Sequence, residues 1–199
     1  LYKKPKSINP IYNQAVYYLK QRSISTDEVL KYNIGYCEEG LYSGRVIIPS
    51  YNEEGELNYF VARSFYEDEK MKYKNPPVSR DVIVFDNQID WNEPITLVEG
   101  VFDSFSVKRN AIPILGKFIP RTLKAKINEK GVKVINILLD SDAVDDSTKH
   151  ADYFIKNGIK VTNIIPDGID AGEMGFDKVN ELLKETKESG WDDLILSKL

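Results

Sequence analysis

The spacing of hydrophobic and polar positions changes along the chain, and that change divides it in two. Over residues 10–22, Ala15, Tyr18 and Leu19 recur at helical spacing, which predicts an amphipathic helix beginning near Ile11. Ser25-Thr26-Asp27-Glu28 has the form of a helix start, with Ser25 as N-cap and Glu28 at the capping-box position. That second helix is short and ends by Asn33 or Gly35. From Gly44 the texture becomes β. Residues 45–49 and 57–64 read as strands around the turn Asn52-Glu53-Glu54-Gly55, hence a hairpin. Residues 70–77, basic with an internal tyrosine and closed by Pro76-Pro77, read on their own as an exposed loop. Residues 82–85 are predicted as a further short strand, and residues 86–94 as a polar connector.

Beyond the connector, strand and helix alternate. Residues 95–98, 111–116, 134–139 and 158–165 are predicted strands. Residues 101–109, 120–130, 147–157 and 176–189 are predicted helices. Alternation of this kind makes an α/β domain with a mostly parallel sheet flanked by helices. A smaller α+β subdomain precedes it, so the expected division is residues 1–90 and 91–199.

Within the second half, Val134-Ile135-Asn136-Ile137-Leu138-Leu139 runs straight into Asp140-Ser141-Asp142. A run this apolar reads as a strand buried on both faces, and ligands of such sheets gather at the carboxyl ends of the strands. Three predicted strands deliver acids there: Glu99 with Asp103, Asp140 with Asp142, and Asp167 with Asp170. On one sheet edge these charges repel unless a cation neutralises them. Oxygen-only ligands favour Mg²⁺ or Mn²⁺, and ions so held typically serve phosphoryl transfer.

Composition narrows the classes further. With 199 residues, 42% hydrophobic and 29% charged, the chain can bury a real core. A lone Cys37 excludes an internal disulfide or cysteine–zinc cluster, and a lone His150 argues against histidine-based metal or triad chemistry. Without an apolar run of spanning length or a signal peptide, the expectation is a cytoplasmic protein with no membrane partner. Leu1 in place of an initiating methionine reads as a sign of a piece of a longer protein. The net charge of -4 leaves nucleic-acid binding open, because basic residues concentrate at 3–6 and 63–74.

Leu97-Val98-Glu99-Gly100 with Asp103, Leu138-Leu139-Asp140-Ser141-Asp142 and Pro166-Asp167-Gly168-Ile169-Asp170 resemble the three motifs of the Toprim domain, and Leu115-Gly116 fits the turn between the first two. That domain is shared by bacterial-type primases, topoisomerases and some nucleases. Further segments resemble the region preceding Toprim in DnaG-type primases. They are Tyr18-Leu19-Lys20-Gln21-Arg22-Ser23-Ile24, Tyr32-Asn33-Ile34-Gly35-Tyr36, Gly44-Arg45-Val46-Ile47-Ile48-Pro49, Ala62-Arg63 and Lys72-Tyr73-Lys74-Asn75-Pro76-Pro77.

The resemblance, over residues 18–176, implies a primase catalytic core: a DNA-templated RNA polymerase that makes short primers for replication. It implies that Glu99, Asp140 and Asp142 hold two metal ions, Mg²⁺ or Mn²⁺, with Asp103 and Asp170 completing the catalytic acids. It implies that Arg45, Arg63, Lys72, Lys74 and Asn75 face nucleic acid or nucleotide. The implied partners are a single-stranded DNA template, ribonucleoside triphosphates, a replicative helicase and a zinc-binding module outside this chain, in a bacterial or phage-infected cytoplasm.

The chain departs from the family where Asp170-Ala171-Gly172-Glu173 stands for Asp-Pro-Asp, where Asp86-Asn87 follows the 82–85 strand in place of a lysine, and where Ala143-Val144 replaces Ala-Gly. These departures suit a divergent, phage-like member. Two other readings share the motifs: another Toprim enzyme, either a nuclease or a topoisomerase fragment, and a non-catalytic module that binds nucleic acid or a replication partner. His150 reads as solvent-facing, Cys37 as packing, Trp91 and Trp191 as covers for the ends of the α/β half, and most tyrosines as packing.

Overall fold

The structure, a computed structural model, describes residues 9–166 and 171–185. It forms two compact units: residues 1–50 with 59–78, and residues 51–58 with 79–199.

In the first unit, α1 (Pro10–Gln21) starts where the Asn9 side chain accepts from the Ile11 and Tyr12 amides, with Pro10 at the position where a missing N–H costs nothing. Its buried face carries Ala15 and Leu19. The capping box opens α2 (Thr26–Lys31): Glu28 N–H donates to Ser25 Oγ at 3.2 Å, and Ser25 N–H donates to Glu28 Oε2 at 2.7 Å. Strands β1 (Gly35–Cys37), β2 (Arg45–Tyr51) and β3 (Leu57–Ser64) make a three-stranded sheet in that order, with β1 antiparallel to β2. The basic stretch is not a free loop. It runs along β3, with an antiparallel Arg63–Tyr73 bridge, Ser64 N–H on Lys72 C=O (2.8 Å) and Lys74 N–H on Ala62 C=O (2.9 Å).

The second unit is built on a fully parallel sheet in the order β5-β4-β6-β7, from β4 (Ile95–Val98), β5 (Ala111–Pro113), β6 (Val134–Leu138) and β7 (Lys160–Ile164). Helices α3 (Val101–Val107), α4 (Arg121–Lys130), α5 (Val144–Lys156) and α6 (Ala171–Glu185) cover it. Alternate side chains of each strand point to opposite faces. Ile95, Leu97, Ile135, Ile137 and Val161 pack with Leu123, Ile127 and Phe154 of α4 and α5. Val98, Leu138 and Ile164 pack with Val107 of α3 and with Ala171 and Val179 of α6. Strand β6 is less completely buried than its composition suggested. Val134 and Asn136 are half-buried, and Asn136 Nδ2 donates to Thr96 Oγ1 on the neighbouring strand. The last helix is kinked at Gly175 (φ 74°), so its main run begins at Phe176, as expected.

One expectation about the elements is corrected. Residues 82–85 form no strand: Ile83, Val84 and Phe85 are buried, but Phe85 is left-handed (φ 61°) and leads into a 3₁₀ turn at Asp86–Gln88. A left-handed residue cannot continue a pleated ladder, and the apolar groups bury in a turn instead, with Phe85 against Phe105. Val78 is the last residue of the first unit. Residues 79–90 are fastened into the α/β unit by Asp81 on Thr122 and Asp86 on Lys126.

Candidate metal centre

Strands β4 and β6 are parallel neighbours in the register Val98↔Leu138, so their carboxyl ends lie side by side. Glu99 is the first residue beyond β4, and Asp140 the second beyond β6. Asp142 follows in a one-turn 3₁₀ helix, Ser141–Ala143, closed by Ala143 N–H on Asp140 C=O at 2.9 Å. One oxygen from each of Glu99, Asp140 and Asp142 lies within 4.8 Å of the others. Glu99 accepts from the Asp140 amide, while its Oε2 is buried with no hydrogen-bond partner among the described residues. Burial, and then the charges of Asp140 and Asp142, push the Glu99 carboxyl above the ordinary glutamate range. A buried carboxylate oxygen without a partner, facing two like charges, is one that a cation would satisfy. Three oxygen donors with no nitrogen or sulfur suit Mg²⁺ or Mn²⁺, so the residues present fit such an ion.

Asp103 does not join this trio. It is buried, and both oxygens are taken by backbone amides: Oδ2 accepts from Gly100 at 2.7 Å and Oδ1 from Gly172 at 3.0 Å. It caps the first turn of α3 and ties that turn to the start of α6, a positioning task rather than a ligating one. Asp167 and Asp170 lie outside the described residues.

Sequence reasoning passed over two residues here. Lys117, just after the Leu115-Gly116 turn, puts Nζ 2.9 Å from Asp142 Oδ2. That hydrogen bond, with the nearby Glu99 charge, raises the lysine's pKa although desolvation opposes it. His150 is buried rather than solvent-facing, with Nε2 2.7 Å from the Lys117 carbonyl oxygen, to which it can only donate. Desolvation lowers its pKa and keeps the ring neutral. His150 lies three residues after Ser147 and four before Phe154, so the helical spacing of α5 puts it on the buried face with them.

Of the candidate phosphate-facing residues in the first unit, Arg45 is buried. Its guanidinium donates to the Ser43 and Met71 carbonyls at 3.0 and 3.1 Å and lies 3.7 Å from Glu69. It fastens β2 to the basic stretch. Arg63 is half-buried: Nε donates to Tyr18 Oη at 3.2 Å, and the guanidinium stacks 4.4 Å from the Tyr73 ring centroid. Lys72 Nζ donates to the Glu67 carbonyl, and the Asn75 side chain accepts from Ala62 N–H. Lys74 is half-buried beside them in sequence. Arg63 and Lys72 line a 260 Å³ cleft together with Tyr17, Tyr18, Arg22 and Tyr66. Cys37 is partly exposed, with Sγ on the Glu39 carbonyl, and Trp91 packs partly buried against the α/β core. Trp191 lies outside the described residues.

No protein-family profile and no curated protein sequence matches the chain. Solved structures do. The Escherichia coli primase catalytic core superposes with a TM-score of 0.74 at 16% identity, covering 96% of this chain and 78% of that one. A DnaG primase catalytic domain bound to single-stranded DNA gives 0.73 at 16% identity, covering 91% and 76%. The zinc-binding and RNA polymerase domains of the Aquifex aeolicus primase give 0.60 at 24% identity, covering 87% and 49%. The chain therefore has the fold of the DnaG catalytic core: a parallel sheet flanked by helices, preceded by a small antiparallel sheet.

Proposed function

We propose that this chain is the catalytic core of a DNA primase, a divalent-metal-dependent nucleotidyltransferase that copies single-stranded DNA into short RNA primers. The observation that carries the proposal is the meeting of Glu99, Asp140 and Asp142 at the ends of β4 and β6, with Glu99 Oε2 buried and without a partner among the described residues. The fold likeness over nearly the whole chain supports it.

On this reading Glu99 and Asp140 hold a Mg²⁺ or Mn²⁺ ion, and Asp142 completes the acidic edge. An ion held there would supply charge stabilisation at phosphate oxygens for the displacement of pyrophosphate from an α-phosphate by a 3′-hydroxyl. Asp103 keeps the first turn of α3 in place so that Glu99 is presented at the sheet edge. Arg63, Lys72 and Lys74 hold template, primer or nucleotide phosphates, Arg63 through its fork and the lysines as point charges. Asn75 orders the basic stretch that carries them, and Arg45 supports it from beneath. The 1–90 segment then serves as the basic, template- and nucleotide-facing part, and the rest as the Toprim domain, with Asp170 among its acids. A replicative helicase and a zinc-binding module are partners of this reading.

The test is ribonucleotide incorporation on single-stranded DNA with Mg²⁺ or Mn²⁺. Asp140→Ala and Asp142→Ala should each abolish it while leaving the thermal melt intact. Full activity in either variant removes the metal assignment. Strand cleavage without primer synthesis by the intact protein replaces the primase reading with a nuclease one.

A further inference from the structure

His150 is a polar ring on the buried face of α5, 8% exposed, with Ser147, Ala151 and Phe154. A side chain that only filled this space could be apolar. An imidazole there loses its water and needs a hydrogen bond in return. Its Nε2 lies 2.7 Å from the Lys117 carbonyl oxygen. A carbonyl oxygen only accepts, so Nε2 carries the proton and gives it to that oxygen.

The accepting carbonyl belongs to a turn that the chain does not favour on its own. Leu115 is left-handed (φ 57°), and Gly116 has a φ of 134° that disfavours residues with a side chain. Backbone of this kind persists where the surroundings hold it. The β ladder reaches its start, with Ile114 N–H on the Val98 carbonyl at 2.9 Å. Beyond that, Gly116 N–H donates to the Glu99 carbonyl at 3.2 Å, and His150 holds the Lys117 carbonyl. From this base the Lys117 side chain places Nζ 2.9 Å from Asp142 Oδ2 and 3.2 Å from the Asp142 carbonyl oxygen. The turn at 115–117 thus touches two acids of the trio that arrive from different strands, Glu99 after β4 and Asp142 after β6. The helix that supplies His150 begins at Val144, directly after the 3₁₀ turn of Asp142, so the ties form a closed ring.

We propose that His150 is a positioning residue of the metal centre: its hydrogen bond fixes the turn at 115–117, and through that turn the placement of Glu99 relative to Asp142. This role rests on the metal reading above and adds to it a residue that touches no ligand atom. A histidine that merely filled the core would affect the fold alone. A positioning histidine affects ion affinity through the bond it donates, and outer groups that orient metal ligands are worth about 10- to 100-fold in affinity.

Calorimetric titration of the intact protein with Mn²⁺, beside urea unfolding of each variant, tests this. His150→Leu keeps the face apolar and removes the donor, and should weaken Mn²⁺ binding about 10-fold. His150→Gln, whose amide nitrogen can donate from about the place of Nε2, should restore most of that affinity. Ile155→Val thins the buried face of the same helix, and should lower the urea midpoint while leaving Mn²⁺ affinity unchanged. His150→Met takes the place of His150→Leu should the latter fail to melt cooperatively. Three results each overturn the role of His150: wild-type affinity in His150→Leu, equal losses in the Leu and Gln variants, or a loss in Ile155→Val as large as in His150→Leu. Asp140→Asn tells this failure from that of the centre. If Asp140→Asn abolishes Mn²⁺ binding and His150→Leu leaves it intact, the centre stands and only the histidine's role falls. If wild-type binding is absent or insensitive to Asp140→Asn, the centre falls and the inference with it.

Discussion

The α/β unit carries two clusters of acids with lysines, made of the same chemical parts and put to opposite use. In one, Lys126 Nζ lies 2.7 Å from Glu53 Oε2 and 2.8 Å from Asp86 Oδ2, and Lys130 Nζ lies 2.9 Å from Glu53 Oε1. Two carboxylates meet two ammoniums, so the charges of the cluster balance and close it, although Asp86 Oδ1 is itself buried without a hydrogen-bond partner among the described residues. It fastens the hairpin tip and the 79–90 segment to α4. In the other, Glu99, Asp140 and Asp142 lie together, and Lys117 sets its ammonium on Asp142, the outermost acid. The first cluster is a fastening. The second, among the described residues, sets three acids against one ammonium and leaves Glu99 Oε2 buried without a hydrogen-bond partner. Acid content alone does not separate a metal site from a structural ion pair, whereas the balance of charge inside the cluster does.

The contrast is most exposed to failure in metal binding. Glu99→Gln and Asp140→Asn should each weaken Mn²⁺ binding at least about 100-fold. Glu53→Gln should leave it unchanged in the same calorimetric titration. Equal losses in both clusters would mean that acidity alone draws the ion, and the distinction would collapse.

Stability should separate the two lysines next. Lys126→Met leaves Asp86, whose side chain is 7% exposed, without its ammonium, and should cost about 3 kcal/mol in urea unfolding. Lys117→Met removes a pair whose acid is largely in water and should cost under about 1 kcal/mol. A Lys117 variant as unstable as the Lys126 one would show that the open cluster is a fastening too.

The open cluster was largely legible in the sequence and the closed one was not. An apolar run that ends in an acid reports its own place in a parallel sheet, so Glu99, Asp140 and Asp142 could be brought together from β4 and β6 alone. The capping box at Ser25 and Glu28 was legible for the same reason, since all of its partners are local. Asp86 read as connector and Glu53 as turn, because their lysines lie 40 and 73 residues away. The burial of Arg45 was not legible, because it depends on the Met71 carbonyl, 26 residues on. Residues 82–85 misled for another reason. A short apolar run marks burial, and only the left-handed Phe85 decides between strand and turn. Lys117 was missed because its meaning comes from Asp142, 25 residues further along the chain.

A smaller effect with the opposite sign is expected at Glu99. Its charge is partly desolvated and faces two like charges, so in metal-free protein it works against the fold. Glu99→Gln keeps an acceptor for the Asp140 amide and removes that charge. With solvent screening of a half-exposed group allowed for, it should stabilise the metal-free protein by about 1 kcal/mol in urea unfolding, while destroying ion binding. Stabilisation joined to loss of binding is the signature of a residue kept for a ligand, and destabilisation would place Glu99 with the fastening acids.

The smallest effect is in pH, and it belongs to the closed cluster. Hydrogen bonds from Lys126 and Lys130 lower the Glu53 carboxyl from 4.5 to about 2. For a carboxylate whose pKa is depressed by folding, the stabilisation is fully present above the ordinary value near 4.5 and is lost as pH falls toward about 2. The urea midpoints of wild type and Glu53→Gln should therefore differ by a constant amount from pH 7 down to about 5, and draw together over the window below it. Glu53 is exposed at the hairpin tip, so the gap is small and should shrink in high salt as surface pairs do. A gap that persists unchanged to the acid end of that window would mean that Glu53 holds the hairpin tip by packing and neutral hydrogen bonds. The fastening would then owe its strength to Asp86 and Lys126 alone, the one pair in the cluster shielded enough from water to keep it.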